Sequence, residues 1–154
     1  MRRIIASDFR EYPFSPQLIY QVLSDVSGYK SWWPLGVKVK VLEKTANGLN
    51  SKIEVWASGG WFRCQTTALN PPNRVCIQYF AGVVCGESYW TIEPLANGLT
   101  KVGYSINLEP HGILPRLISN MVNISMIHSL QFKRVLRSLH QHLESLTKSQ
   151  KEQP

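Results

Sequence analysis

Lys101-Val102-Gly103-Tyr104-Ser105-Ile106-Asn107-Leu108-Glu109-Pro110-His111-Gly112 is the stretch where the chain changes its hydrophobic period. Val102, Tyr104, Ile106 and Leu108 stand at every second position, the pattern of a strand with one face buried. Pro110-His111-Gly112 breaks the strand, and from about Leu114 the period becomes 3.6. Leu117, Ile118, Met121, Ile124, Ile127 or His128, Phe132, Val135, Leu139, Leu143 and Leu146 trace one apolar stripe. At about 1.5 Å per residue this helix approaches 50 Å, long enough to cross a whole sheet. The residues that follow are polar, so the sequence predicts one domain over 1–147 and a frayed tail over 148–154.

Alternation also governs the residues upstream. Val37, Val39 and Val41 interleave with Lys38 and Lys40, and Ile53, Val55 and Ala57 interleave with Lys52, Glu54 and Trp56, so the lysine side faces water. Trp61 to Leu69, Arg74 to Phe80, a strand carrying Trp90 and Ile92, and the opening segment Arg3 to Tyr12 bring the count to seven strands. Glycine, proline and asparagine clusters, among them Asn70-Pro71-Pro72-Asn73 and Asn97-Gly98, supply short turns. Short turns between alternating strands argue an antiparallel meander rather than βαβ units. Between the first and second strands lie two short helices. Ser15 is an N-cap, Pro16 suits the first helical position, and Ile19, Val22, Leu23 and Val26 form a buried stripe. Ser27 is a second cap candidate, and Pro34 ends that turn. The fold class is therefore α+β: a curved seven-stranded antiparallel sheet with one long C-terminal helix.

Composition removes several function classes. A chain of 154 residues with 44% hydrophobic content fits one domain with an ordinary core. Cys64, Cys76 and Cys85 form no C-x-x-C pair, which predicts reduced, inert thiols. Asp8, Arg10 and Glu11 follow the first apolar residues too closely for a signal peptide, and Pro115, Arg116, Asn120, Asn123 and His128 interrupt the longest apolar region, so a cytoplasmic protein is expected. The net charge of +7 is spread along the chain without a run of five, which reads as a solvated surface and not as a nucleic-acid site. The same cations would support a transient contact with an anionic membrane surface.

The order of elements, together with local marks, resembles the START-like or SRPBCC superfamily of polyketide cyclases, lipid-transfer domains and related proteins. The marks are Ser15-Pro16 through Tyr20 to Ser24-Asp25, Gly28-Tyr29 with Trp32-Trp33-Pro34, Asn70-Pro71-Pro72-Asn73-Arg74, Gly86 with Trp90-x-Ile92-x-Pro94, Gly98-x-Thr100-x-Val102, and Pro110-His111-Gly112-Ile113-Leu114-Pro115. The resemblance spans nearly the whole chain and implies a helix-grip fold, in which the sheet wraps the helix and ligand lies between them.

That geometry has a physical reason to leave space. A strongly curved sheet cannot meet a straight helix along its full length unless large side chains fill the gap. Val55, Ala57, Gly86, Ser88 and Gly103 are small or β-branched, and Tyr79, Trp90 and Tyr104 would shape apolar walls carrying a few polar handles. The expected cavity lining is Val55, Ala57, Arg63, Tyr79, Trp90, Tyr104, Met121 and His128, with Trp33, Val83, Val84, His111 and Ile113 at the entrance. For each aromatic the rival reading is plain core packing. Arg63 depends on the phase of its strand: it reaches the cavity if Phe62, Cys64 and Thr66 face outward, and water if they face inward. The segments Phe80 to Gly86 and Ile113-Leu114-Pro115 are candidate gates, which would also touch a bilayer.

Catalytic groups are thin. His111 beside the cavity mouth could donate a proton, and His128 could hydrogen-bond a ligand or sit satisfied in the core. His140 and His142 are two apart, on different helix faces, and cannot share a metal as an i, i+4 pair does. No carboxylate pair, nucleophile elbow or phosphate loop is evident. The reading is binding or transport of a hydrophobic small molecule, such as a lipid, quinone or polyketide-like aromatic, with no catalytic residue, metal or cofactor. A cyclase or aromatase acting in the same cavity is the first alternative, and a protein-interaction module with a filled interior the second. The expected assembly is a monomer or weak homodimer.

Overall fold

A computed structural model of the chain describes residues 3–113, 115 and 123–151. It opens with β1 (Ile4–Tyr12), then α1 (Pro16–Ser24) and a 3-10 helix (Val26–Ser31). Six strands follow: β2 (Lys38–Glu43), β3 (Lys52–Ala57), β4 (Gly60–Asn70), β5 (Arg74–Gly82), β6 (Val84–Pro94) and β7 (Thr100–Pro110). The chain closes with α2 (Ile124–Lys151). All pairings are antiparallel, in the order β1-β7-β6-β5-β4-β3-β2, so β2 to β7 form a meander and β1 closes onto β7. This is the helix-grip arrangement that the resemblance implied.

Local chemistry accounts for the short helices. Ser15 caps α1 by accepting a bond from the Leu18 amide, and Pro16 occupies the first turn. Ile19 and Leu23 are fully buried. The 3-10 helix starts one residue before the expected cap, at Val26; Ser27 lies inside it, where its hydroxyl donates to the Asp25 carboxylate. The helix α2 buries Phe132, Val135, Leu136, Leu139 and Leu143. The stripe therefore passes through His128, and Ile127 turns outward. The expected start near Leu114, and Leu117, Ile118 and Met121, lie outside the described residues. Past the expected domain end at residue 147, α2 continues through Lys151, with Lys148 paired to Glu144 one turn away.

Sheet curvature has an identifiable source in the β4–β5 ladder. Its register shifts between Arg63 and Cys64 and again between Thr66 and Ala68, so that Phe80 and Thr67 are the extra residues of two bulges. Bulges bend a strand and increase its local twist. The turn into β6 needs Gly82 at φ +107°, where an added Cβ would lie 2.2 Å from the Trp61 carbonyl oxygen. Gly103 departs from expectation. It faces outward beneath the Phe9 ring, because Val102 and Tyr104 take the inner face of β7.

Among the described residues, hydrogen bonds tie the helix to the sheet at three places. The Tyr12 hydroxyl donates to the Leu136 carbonyl oxygen at 2.7 Å, and Ser129 Oγ donates to Asp8 Oδ2 at 2.9 Å, fixing α2 to β1. Gln131 Nε2 donates to Ser58 Oγ at 3.0 Å, reaching the β3–β4 turn on the opposite side of the sheet. The helix thus lies against β1 and spans to β3, and the space under that span stays open.

Candidate ligand cavity between sheet and helix

Between α2 and the concave face of the sheet lies a cavity of about 230 Å³. Its walls come from nearly every strand: Ile4 on β1, Val55 and Ala57 on β3, Phe62 on β4, Tyr79 on β5, Val84 on β6 and Leu108 on β7. The loop from Trp33 to Val37 forms one side, and His128, Gln131, Phe132, Arg134 and Val135 of α2 form the roof. Exposed Leu35, Ser58 and Arg134 mark the mouth. The Gln131–Ser58 hydrogen bond joins two of these lining residues and lies across the opening.

The polar groups of the interior are bonded to one another. Tyr104 Oη donates to Ser88 Oγ at 2.9 Å, and Ser88 Oγ donates to the Ile77 carbonyl oxygen at 3.4 Å. A hydroxyl carries one proton, so in the 2.7 Å contact between Tyr79 and Tyr104 the donor is Tyr79. All three protons run away from Tyr79, the member of the chain that lines the cavity, and its oxygen keeps acceptor capacity. Burial raises both phenols well above the usual tyrosine range, so they stay neutral. His128 is held down to about 4 by burial, with partial opposition from the Asp8 carboxylate, and is likewise uncharged near neutral pH. Its ring stacks at 5.2 Å on Phe132, which stacks at 4.0 Å on Tyr104.

The expected lining residues separate into groups. Val55, Ala57, Tyr79 and His128 line the cavity, as do Trp33 and Val84 from the expected entrance. Tyr104 lies one layer behind Tyr79, and Trp90, at 0% exposure, packs beside the Tyr104–Phe132 stack, touching both rings. Both are core, supporting the wall rather than forming it. Arg63 is a correction. Phe62, Cys64 and Thr66 point inward, so Arg63 lies on the outer face, bonded to Glu54 Oε2 at 2.8 Å and 5.5 Å from the Trp61 ring centre. That bond, with one from the Trp56 indole, holds the Glu54 carboxyl below its ordinary range. Met121 lies outside the described residues.

The expected gate also takes a different form. Val83 is pinned at the β5–β6 turn, its amide donating to the Trp61 carbonyl and its own carbonyl accepting from the His111 amide. Its side chain covers Gly60, not the cavity. The His111 side chain is exposed, Ile113 is exposed, and neither lines the cavity. Sequence reasoning missed the actual mouth: Leu35, Ser58, Gln131 and Arg134. The readable signal was Trp33-Pro34-Leu35-Gly36, a turn with an apolar residue at its tip. For Phe62 the signal was ambiguous, since the bulge residue Thr67 shifts the phase of β4 partway along the strand.

A family described as polyketide cyclase / dehydrase and lipid transport matches residues 3–144 of the chain. No curated protein matches the sequence. Solved structures share the fold at low identity. A START superfamily protein from Mycobacterium smegmatis is 17% identical, with a TM-score of 0.72 over 92% of this chain and 98% of that one. The ZhuI aromatase/cyclase from Streptomyces sp. R1128 is 14% identical, with a TM-score of 0.74 over 93% and 94%. The Aha1 dimer from Colwellia psychrerythraea is 21% identical, with a TM-score of 0.63 over 92% and 96%.

Proposed function

Because this chain belongs to the polyketide cyclase / dehydrase and lipid transport family, we propose that it binds and carries a neutral, apolar small molecule in the space between sheet and helix. The observation that carries this reading is the 230 Å³ cavity walled by carbon. An apolar cavity of about 150 Å³ accepts benzene, so this one has room for a fused two-ring guest or an acyl or isoprenoid segment. Removing about 300 Å² of apolar surface from water contributes roughly 7 kcal/mol before the costs of association. Among the described residues the cavity lining holds no cation except Arg134 at the mouth: Tyr79 and His128 are neutral, and the nearby buried Asp8 is a carboxylate already bonded to Ser129. A buried anionic headgroup would lie there uncompensated, which favours neutral guests such as a quinone, an alcohol or an uncharged polyketide-like aromatic.

A cyclase or aromatase reading draws on Tyr79 and His128, which border the same cavity. Against it, the Tyr79 proton is already committed to Tyr104, and His128 titrates too low to serve as an acid near neutrality. The carrier role is therefore preferred. A monomer or weak homodimer working in the cytoplasm completes the reading. Native mass spectrometry of the purified protein tests it: an apolar adduct, released by organic solvent and absent after extraction, is the expected result. Conversion of an aromatic polyketide precursor at a rate lost in Tyr79→Phe would replace the carrier with the enzyme.

A further inference from the structure

The water-facing stripe of α2 breaks the rule for an amphipathic helix. Met126, Ile127 and Leu130 are 60%, 41% and 58% exposed, at positions where polar side chains ordinarily stand. Lys133, Arg134 and Arg137 continue the same stripe and are exposed. The helix carries no acidic residue before Glu144. Among the described residues, none of these three cations is in an ion pair. Helical spacing puts Ile127 one turn before Gln131, and Leu130 one turn before Arg134. Gln131 and Arg134 line the cavity mouth together with Leu35, which is 95% exposed. Leu35 thus stands at the opening, and Met126, Ile127 and Leu130 lie along the exposed face of the helix that roofs it, with three cations on the same stripe.

The partner that fits is apolar beneath and negative at its surface. Nucleic acid offers the charge but no continuous apolar layer. A second copy of the chain offers the apolar face but no complementary charge: a two-fold contact through this stripe would bring two sets of Lys133, Arg134 and Arg137 together, from chains of net charge +7. We propose that this face docks on an anionic membrane, with Leu35, Met126, Ile127 and Leu130 entering the headgroup region and Lys133, Arg134 and Arg137 meeting the lipid phosphates and carboxylates. The cavity mouth then opens onto the bilayer, and an apolar guest passes between lipid and protein without crossing water.

Flotation with vesicles tests the docking. At low salt the protein is expected to float with vesicles of phosphatidylcholine plus phosphatidylserine, to remain behind with phosphatidylcholine alone, and to be released by salt. Lys133→Gln with Arg137→Gln should weaken the association on the order of 30-fold, and Met126→Asp with Leu130→Asp should abolish it. These four residues lie outside the cavity lining, so unfolding midpoints and 2-naphthol binding by the variants should match wild type, which keeps a failure of docking separate from a failure of the cavity reading. Undiminished flotation of either pair overturns the proposal, as does absence of flotation with phosphatidylserine. So does a concentration-dependent dimer abolished by the aspartate pair, which would assign the face to a second copy.

Discussion

His128 shows how one buried residue couples the cavity roof to pH. It lines the cavity from α2, stacks on Phe132, and is pushed down to about 4 because burial penalises the imidazolium. The unfolded chain, with His128 near 6.5, binds the proton more readily than the folded one between those values. The stability tied to keeping this ring neutral is therefore complete above about pH 6.5 and is lost as pH falls toward 4. Solvent contact at the cavity trims the effect to about 2 kcal/mol between pH 7 and pH 4.5. Denaturant unfolding of wild type and His128→Asn at those two pH values measures it. The wild type should lose the larger share, and parallel losses would show that His128 does not titrate as described. His142, also lowered by burial, contributes alike to both proteins and cancels. From sequence, His128 stood between ligand contact and core. The periodicity was short by one residue of telling it from Ile127, because a 3.6-residue repeat places both at the edge of the stripe.

At the scale of elements, the strands and their turns were legible because alternation, proline and glycine act locally. All seven strands stand within a few residues of their expected positions, and Ser15-Pro16 starts α1 as expected. The phase of β4 was not legible. The bulge at Thr67 breaks the two-residue period of β4, and a bulge is set by strand pairing rather than by the strand's own residues. Arg63 was consequently offered to the cavity, while the structure puts it on Glu54. The mouth was hidden for a related reason: Gln131 and Ser58 are 73 positions apart and meet only when α2 spans the sheet. Their bond ties the middle of α2 to the β3–β4 turn across the opening. Gln131→Ala should speed ligand release severalfold while changing the unfolding free energy by about 1 kcal/mol or less, as expected for one exposed hydrogen bond. Stopped-flow release of a fluorescent naphthol reads the rate, and an unchanged rate would remove the latch.

For the whole molecule, the resemblance, the family match and the solved relatives agree on one architecture, and the sheet order shows how it is assembled. From sequence the cations read as dispersed along the chain. The concentration of exposed apolar residues and cations on one stripe of α2 emerged only once the buried stripe was known. Among the described residues no helix is long and apolar enough to cross a membrane. The three cysteines are free, and burial pushes the Cys64 thiol up to about 12, which leaves it unreactive. What organises the fold is the partial separation of α2 from the sheet: tied to β1 by Tyr12 and Asp8, it leaves β3 to β5 facing space.

That separation is tested most directly by titrating 2-naphthol into extracted protein by calorimetry, beside Ala57→Phe, whose ring would occupy the cavity next to Val55 and Phe62. Wild type should bind one equivalent with a dissociation constant between roughly 10 µM and 1 mM, and with a negative heat-capacity change. Ala57→Phe, with its unfolding midpoint preserved, should show no binding. Equal binding by both proteins, or none by wild type, would contradict an open space between helix and sheet.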